Sequence, residues 1–297
     1  MRYRSLSEEQ VEHFLSRGFI KLEDCFCKET AQQWIDDAFI RLGYAPDDPS
    51  TWAEARFHLP SIRRVEVRDF APKVFDGVCD LLGGEDRIHP NVGWSDGFII
   101  NFNSGADQPW QPPSPLVKGW HKDGDFFRHF LDSPEQGLLT LVLWDDVLPQ
   151  SGGTFVACDS VPQVARRLFE HPEGLLPGGF GGLIENCHDF DEALGQRGDV
   201  YLLHPFILHS ASFNPSGRPR VITNPPVGLR EPMRFDREDP DDYSLVELAI
   251  IRGLGCENTV DWQRTGERER LVPERVRRNK KILEEQKDRL AAAGVAM

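Results

Sequence analysis

Residues 198–223 read Gly-Asp-Val-Tyr-Leu-Leu-His-Pro-Phe-Ile-Leu-His-Ser-Ala-Ser-Phe-Asn-Pro-Ser-Gly-Arg-Pro-Arg-Val-Ile-Thr, and this stretch decides the fold class. It holds three short apolar runs, 199–203, 206–212 and 220–223, divided by Pro205 and by the turn sequence Asn214-Pro215-Ser216-Gly217. Runs this short, bounded by Pro, Gly and Asn, read as strands. Working outward, the same texture begins near Asp96, with further candidate strands at 97–102, 116–123, 138–144 and 153–158. Many short strands separated by turn residues favour a mainly β sandwich or jelly roll over a parallel α/β sheet.

The flanks read as helical. Ser7 and Gln10 form a capping box, Val11, Phe14 and Leu15 make an apolar stripe, and Gly18 ends the helix. A second stripe runs Ala31, Trp34, Ile35, Ala38, Phe39, Leu42 and stops at Gly43. These helices are expected to brace the outside of a sheet. Pro273 to Ala293 begins at a proline suited to a helix start, and its apolar positions Val276, Ile282, Leu283 and Leu290 are sparse, so it is expected on the periphery. With no internal repeat, the expectation is a single domain: helical support over about 1–95, a jelly-roll core over about 96–228 and a helical extension over about 229–297.

The composition is that of a globular protein, with 39% hydrophobic and 28% charged residues in 297. A net charge of −14 argues against a general nucleic-acid binder. Arg56, Arg63, Arg64 and Arg68 form a local basic cluster, suited either to an anionic substrate or to an ordinary salt-bridged surface. The six cysteines are scattered without a Cys-x-x-Cys pair, and the polar start, residues 1–10, does not read as a signal peptide. Free thiols in a reducing cytoplasm are the expectation. The apolar runs are too short to cross a bilayer, so no membrane partner is expected. The loop at 112–115, rich in Pro, reads equally well as part of an active-site lid and as a plain surface loop.

The chemistry begins at His121-Lys122-Asp123. In a strand, residues two apart share a face, so His121 and Asp123 can hold one metal ion from one side. A His-x-Asp with a distant His is the two-His-one-carboxylate set that leaves positions open on iron. His204 and His209 compete for the third place. They are five apart, which puts them on opposite faces of a regular strand, although Pro205 interrupts it. His209 is preferred because it sits mid-strand among Ile207, Leu208 and Ala211, with His204 read as a supporting or core histidine. Arg220 lies in the next strand and offers a fork for the far carboxylate of 2-oxoglutarate; Arg218, nearer the turn, reads as more exposed. A structural salt bridge is the plainer reading of Arg220. Asp125 and His129 read as supporting or surface residues, and Trp120 and Trp144 as core packing rather than pocket walls.

Gly119-Trp120-His121-Lys122-Asp123-Gly124, Gly198-Asp199 and His209-Ser210-Ala211-Ser212-Phe213-Asn214-Pro215-Ser216 with Arg218-Pro219-Arg220 together resemble the phytanoyl-CoA dioxygenase-like family. So does the opening run Leu6-Ser7-Glu8-Glu9-Gln10 through Arg17-Gly18-Phe19, which extends the resemblance over most of the chain to about Val227. It implies a double-stranded β-helix, a cupin-like jelly roll, that binds Fe(II) and 2-oxoglutarate. Position by position it makes His121, Asp123 and His209 the metal ligands and catalytic set, and Arg220 the cosubstrate anchor. The implied reaction consumes O2 and hydroxylates an unactivated C–H bond, with release of succinate and CO2. Asp123 favours hydroxylation, because related halogenases carry a small residue there to make room for chloride.

Three departures point to a different substrate branch. Ala211 stands where the family often has Ser, Lys122 where it often has Gln, and Cys158-Asp159-Ser160-Val161-Pro162 replaces the usual Pro-Gly-Ser-His. The expected partner is a small molecule recognised by loops at 51–75 and 104–116. The rival reading is a metal-binding cupin-like protein, an isomerase or ligand-binding module without 2-oxoglutarate-driven oxidation; it leaves Arg220 unexplained.

Overall fold

Leu138–Leu143 is buried at all of its positions, and the architecture is organised around it. A computed structural model of the chain describes residues 3–295. In chain order the principal elements are α1 (Glu8–Arg17), β1 (Phe19–Leu22), α2 (Lys28–Leu42), β2 (Arg56–His58), β3 (Arg64–Glu66), α3 (Val67–Phe70), α4 (Pro72–Leu82), β4 (Gly93–Ser95) and β5 (Ile99–Asn101). There follow β6 (Leu138–Leu143), β7 (Thr154–Ala157), α5 (Ser160–Phe169), β8 (Phe190–Ala193), β9 (Val200–Leu203), β10 (Leu208–Ala211), β11 (Arg220–Thr223), β12 (Pro226–Val227), α6 (Leu245–Gly253) and α7 (Glu274–Ala292).

The large sheet has the order β1-β9-β6-β11-β5-β2, with β12 also on β6; a smaller sheet has the order β10-β7-β8. Every pairing in both is antiparallel. From β5 the chain crosses to the small sheet at His121, which bridges β10, and returns at β6. It then passes through β7 and β8, back to β9, over to β10 and back to β11. Two facing antiparallel sheets wound alternately by one chain form a double-stranded β-helix, a jelly roll. The fold is mainly β with flanking helices.

Several expectations need correction. Residues 116–123 do not form a strand; only His121 pairs, through a single bridge. Pro112, Pro113 and Pro115 withhold backbone donors, and Gly119 and Gly124 take φ of 90° and 117°, which breaks an extended run at both ends. The N-terminal part is not only helical: β1 and β2 form the two edges of the large sheet, and β3 pairs with β4. The helices themselves agree with the reading. Ser7 and Gln10 make the reciprocal capping box, and Gly18 and Gly43 close α1 and α2 in the left-handed conformation. The last helix packs along α2, where Gln286 accepts from Arg41 and Leu290 is buried.

The outer face of the large sheet is sealed by aromatic packing. Trp144 stacks on Trp34 of α2 with centroids 5.1 Å apart, and Phe26, Phe70 and Phe98 surround it. Each such pair adds about 0.5–1.5 kcal/mol beyond burial. The Trp144 indole donates to Thr223 Oγ1 at 2.9 Å, so its one polar group is satisfied inside the core.

Asp199 ties the N-terminal edge strand to the barrel. It is buried, accepts from the backbone of Asp24 and Gln196, and pairs with Lys21 of β1 at 2.8 Å. Burial pushes its pKa up, but the Lys21 ammonium and the backbone donors prevail and hold it below the ordinary carboxylate value. A depressed folded-state pKa stabilises above the unfolded value, and that contribution is lost as pH falls through the folded one. Asp199→Asn is therefore expected to cost about 1–3 kcal/mol at neutral pH. In urea melts the gap from the native protein should narrow as pH drops below the normal carboxylate range; a gap independent of pH would contradict the assignment.

Candidate metal centre and cavity

His121 and His209 face each other across the bridge, each backbone N–H donating to the other's carbonyl at 3.0 Å. This holds the two rings side by side, centroids 4.4 Å apart. His121 Nδ1 lies 2.8 Å from Gly119 O, and His209 Nδ1 lies 3.4 Å from Ile207 O. With Nδ1–H given to a carbonyl, each Nε2 keeps its lone pair for a metal. Both Nε2 atoms turn to the same oxygen, Asp123 Oδ1, at 3.3 Å and 3.5 Å.

The ligand atoms of His121, Asp123 and His209 all lie within 4.8 Å of one another, so the three could hold one metal ion. Metal–ligand bonds of about 2.0–2.2 Å place neighbouring ligands roughly 3 Å apart, which this cluster fits. Desolvation raises the Asp123 pKa, yet the two histidines outweigh it and keep the carboxyl ionised. For His121, desolvation pulls the pKa down and Asp123 pulls it up more strongly.

Neighbouring side chains fix the carboxylate. Asn224, just beyond β11, donates through Nδ2 to Asp123 Oδ2 at 2.6 Å, leaving Oδ1 to face the histidines. Lys122 points the other way, although the segment is not a strand. Its Nζ is buried, donates to Asp123 O at 3.1 Å and to His129 Nδ1 at 2.9 Å, and lies near the rings of Phe127, Phe180 and Phe206. Burial brings the Lys122 pKa down to about 7; burial and then Lys122 bring that of His129 down to about 2, so His129 accepts as a neutral ring. His204 is a core residue, its Nδ1 accepting from Phe206 N and its Nε2 lying 3.3 Å from Val246 O.

Arg220 lines the same inner pocket as His121 and His209. It is fully buried; Nε donates to Gly152 O at 2.8 Å, and Nη1 has no partner among the described residues. Burial, then repulsion from Arg56, lowers its pKa to about 9, so the pocket holds a cation in need of an anion. Arg218 is exposed. Ala211 also faces this pocket, where its cross-strand neighbour Thr154 brings a hydroxyl that the Ala211 position lacks. Ser210 also lines this pocket but its hydroxyl donates to Lys118 O, and that of Ser212 to Phe213 O.

Beyond the triad opens a cavity of about 540 Å3. Of the four arginines in the basic cluster only Arg56 lines it; Arg63 pairs with Asp37, Arg64 with Glu66 and Arg68 with Glu85. Part of the 51–75 segment forms a wall, as expected, but no described residue of 104–116 does. Instead Gln136, Pro177, Asn224 and Asn279 complete it. Trp144 stays in the core, Trp120 packs on Phe190, and Asp125 stands exposed at the rim.

No family model matches the chain, and no curated protein does; the resemblance to the phytanoyl-CoA dioxygenase-like family is carried by the motif residues alone. Solved structures that it resembles include EctD from S. alaskensis with 2-oxoglutarate and 5-hydroxyectoine, at 19% identity and TM-score 0.39 over 76% of this chain and 75% of that one. EvdO2 from Micromonospora carbonacea var. aurantiaca is similar at 15% identity and TM-score 0.44 over 81% and 98%. HygX from Streptomyces hygroscopicus with nickel and 2-oxoglutarate bound is similar at 15% identity and TM-score 0.43 over 80% and 93%.

The Asn224–Asp123 hydrogen bond should be felt as metal affinity. Asn224→Ala is expected to weaken Co(II) binding about tenfold in an optical titration. An unchanged affinity would mean that the bond does not orient the carboxylate.

Proposed function

We propose that the protein is a non-haem Fe(II)- and 2-oxoglutarate-dependent dioxygenase, an oxidoreductase that hydroxylates an unactivated C–H bond of a small molecule. One observation carries the reading: the two histidines of a His-Asp-His cluster share an inner pocket with a fully buried arginine whose Nη1 has no partner among the described residues. A metal-binding protein without the cosubstrate has no use for that cation, whose burial is costly unless an anion reaches it.

His121 Nε2, His209 Nε2 and Asp123 Oδ1 would hold the iron, and Arg220 would fork the far carboxylate of 2-oxoglutarate. Bound there, Fe(II) with 2-oxoglutarate and O2 supplies an oxidative decarboxylation that yields succinate and CO2 and drives oxygen into the substrate. The chain's own contribution is placement. The carbonyls of Gly119 and Ile207 set the imidazole orientation, Asn224 keeps one carboxylate oxygen off the metal side, and Leu141, Leu203 and Ile222 line the inner pocket with apolar surface. An apolar lining strengthens the pairing of Arg220 with a carboxylate by excluding water. The presence of Asp123 at the ligand position favours hydroxylation over halogenation.

Anaerobic addition of Fe(II) and 2-oxoglutarate to the protein is expected to give a visible metal-to-ligand charge-transfer band. Arg220→Ala should raise the 2-oxoglutarate concentration needed for half its intensity by about tenfold or more, from the loss of a charge-assisted pair. No band from the metal-loaded native protein would sink the oxygenase reading.

A further inference from the structure

The outer cavity contains a cation that the iron and 2-oxoglutarate do not use. Arg56 makes no hydrogen bond or ion pair with a described residue, although it lines both the outer cavity and the inner pocket. Its strand neighbours define its place. Arg56 pairs in register with Asn101, and Asn101 with Arg220, so the three side chains share one face of the large sheet. Two strand spacings separate Arg56 from Arg220, roughly 10 Å at the backbone. Arg56 is thus a second cationic seat, further out along the same row.

Arg56 is exposed to the cavity, and no carboxylate among the described residues pairs with it. Asp123 attracts Arg56 through space, but its Oδ1 is shared by two histidines and its Oδ2 is taken by Asn224. Asp125 at the rim is engaged elsewhere. With the cosubstrate in place, a dication, Arg220 and Arg56 bring four positive charges against three negative ones from Asp123 and the dicarboxylate. One unit of positive charge is left facing the cavity.

The rest of the wall mixes apolar residues such as Leu59, Ile99 and Phe126 with Lys122, whose Nζ is held by Asp123 O and His129, with Asp125 and with uncharged polar groups. Ser61 and Ser95 hydroxyls lie 2.8 Å apart, and Asn279 of α7 faces the same space. Gln136 is buried there with its Oε1 lacking any hydrogen-bond partner, an acceptor directed to a donor that the protein does not provide.

We infer that the primary substrate is a small polar molecule bearing one carboxylate, held by Arg56, and a hydroxyl or amino group, offered to Gln136. This rests on the oxygenase reading and narrows it to a chemical class, that of hydroxy-acid or amino-acid derivatives.

The test uses the full chain loaded with Zn(II) and saturating 2-oxoglutarate, so that the inner seat is filled and no turnover occurs. A set of small hydroxy and amino carboxylic acids, each with its primary amide, is compared by ligand-observed NMR and calorimetry. The acids are expected to bind about tenfold or more tighter than their amides, the scale of one charge-assisted contact. Arg56→Gln should erase that preference without weakening 2-oxoglutarate, and Arg56→Lys should keep part of it. Gln136→Leu should weaken acids with a donor group but not those without one. Absence of an acid preference in the native protein, binding of neither series included, overturns the inference, as does an unchanged preference in Arg56→Gln. Weaker 2-oxoglutarate binding in Arg56→Gln also overturns it, by making Arg56 a second cosubstrate anchor. The charge-transfer band separates the two levels: a native protein with the band but no acid preference loses only the substrate assignment, whereas a missing band removes both.

Discussion

Two backbone hydrogen bonds join His121 to His209, and the site depends on them. They connect a segment with no regular strand structure to β10, at the one register that puts two imidazoles on the same side of the small sheet. A shift of one residue would turn His209 away and present Ser210 instead. The flanking glycines, Gly119 and Gly124, let the backbone turn sharply into and out of this contact. Because the bridge fixes the rings, the carbonyls at Gly119 and Ile207 can select the tautomer, and Asp123 can meet both Nε2 atoms with one oxygen.

The large sheet supplies the other half of the arrangement. β11 carries Arg220 at its start, and Asn224 follows immediately after its last residue, Thr223. One short strand and its exit thus reach both ends of the inner pocket, the cation at one and the carboxylate clamp at the other. The aromatic layer of Trp34, Phe70 and Trp144 on the opposite face gives this sheet a rigid backing.

Much of this was legible in residues 198–223. Alternation separated His209 from His204, and the structure places His204 in the core, bonded to backbone, while His209 meets Asp123. Lys122, between two of the cluster's residues in sequence, turns away from it toward three phenylalanines. What escaped was set by tertiary register. Strands of three or four residues such as Arg56–His58 and Gly93–Ser95 carry too few positions to show a period. Arg56 stands in a basic cluster whose other members pair with carboxylates, and the pairing of β2 with β5 distinguishes it. Asn224 gave no local signal, since its partner lies 101 residues away. Thr154 became visible as a pocket residue only once β7 lay against β10. The run at 116–123 looks like a strand because its side chains suit one, but the prolines just before it and the left-handed Gly119 and Gly124 outweigh that preference.

A ligand segment attached by one bridge has a thermodynamic consequence. A metal ion bonded to His121, Asp123 and His209 would act as a cross-link between two stretches of backbone joined by two backbone hydrogen bonds and the Ser210 hydroxyl. Its binding energy would enter the local opening equilibrium directly, adding RT ln(1 + [M]/Kd) to the cost of separating them. Order in residues 119–124 would then track metal supply, while the aromatic-backed sheet behind it would keep its fold whether or not the metal were present.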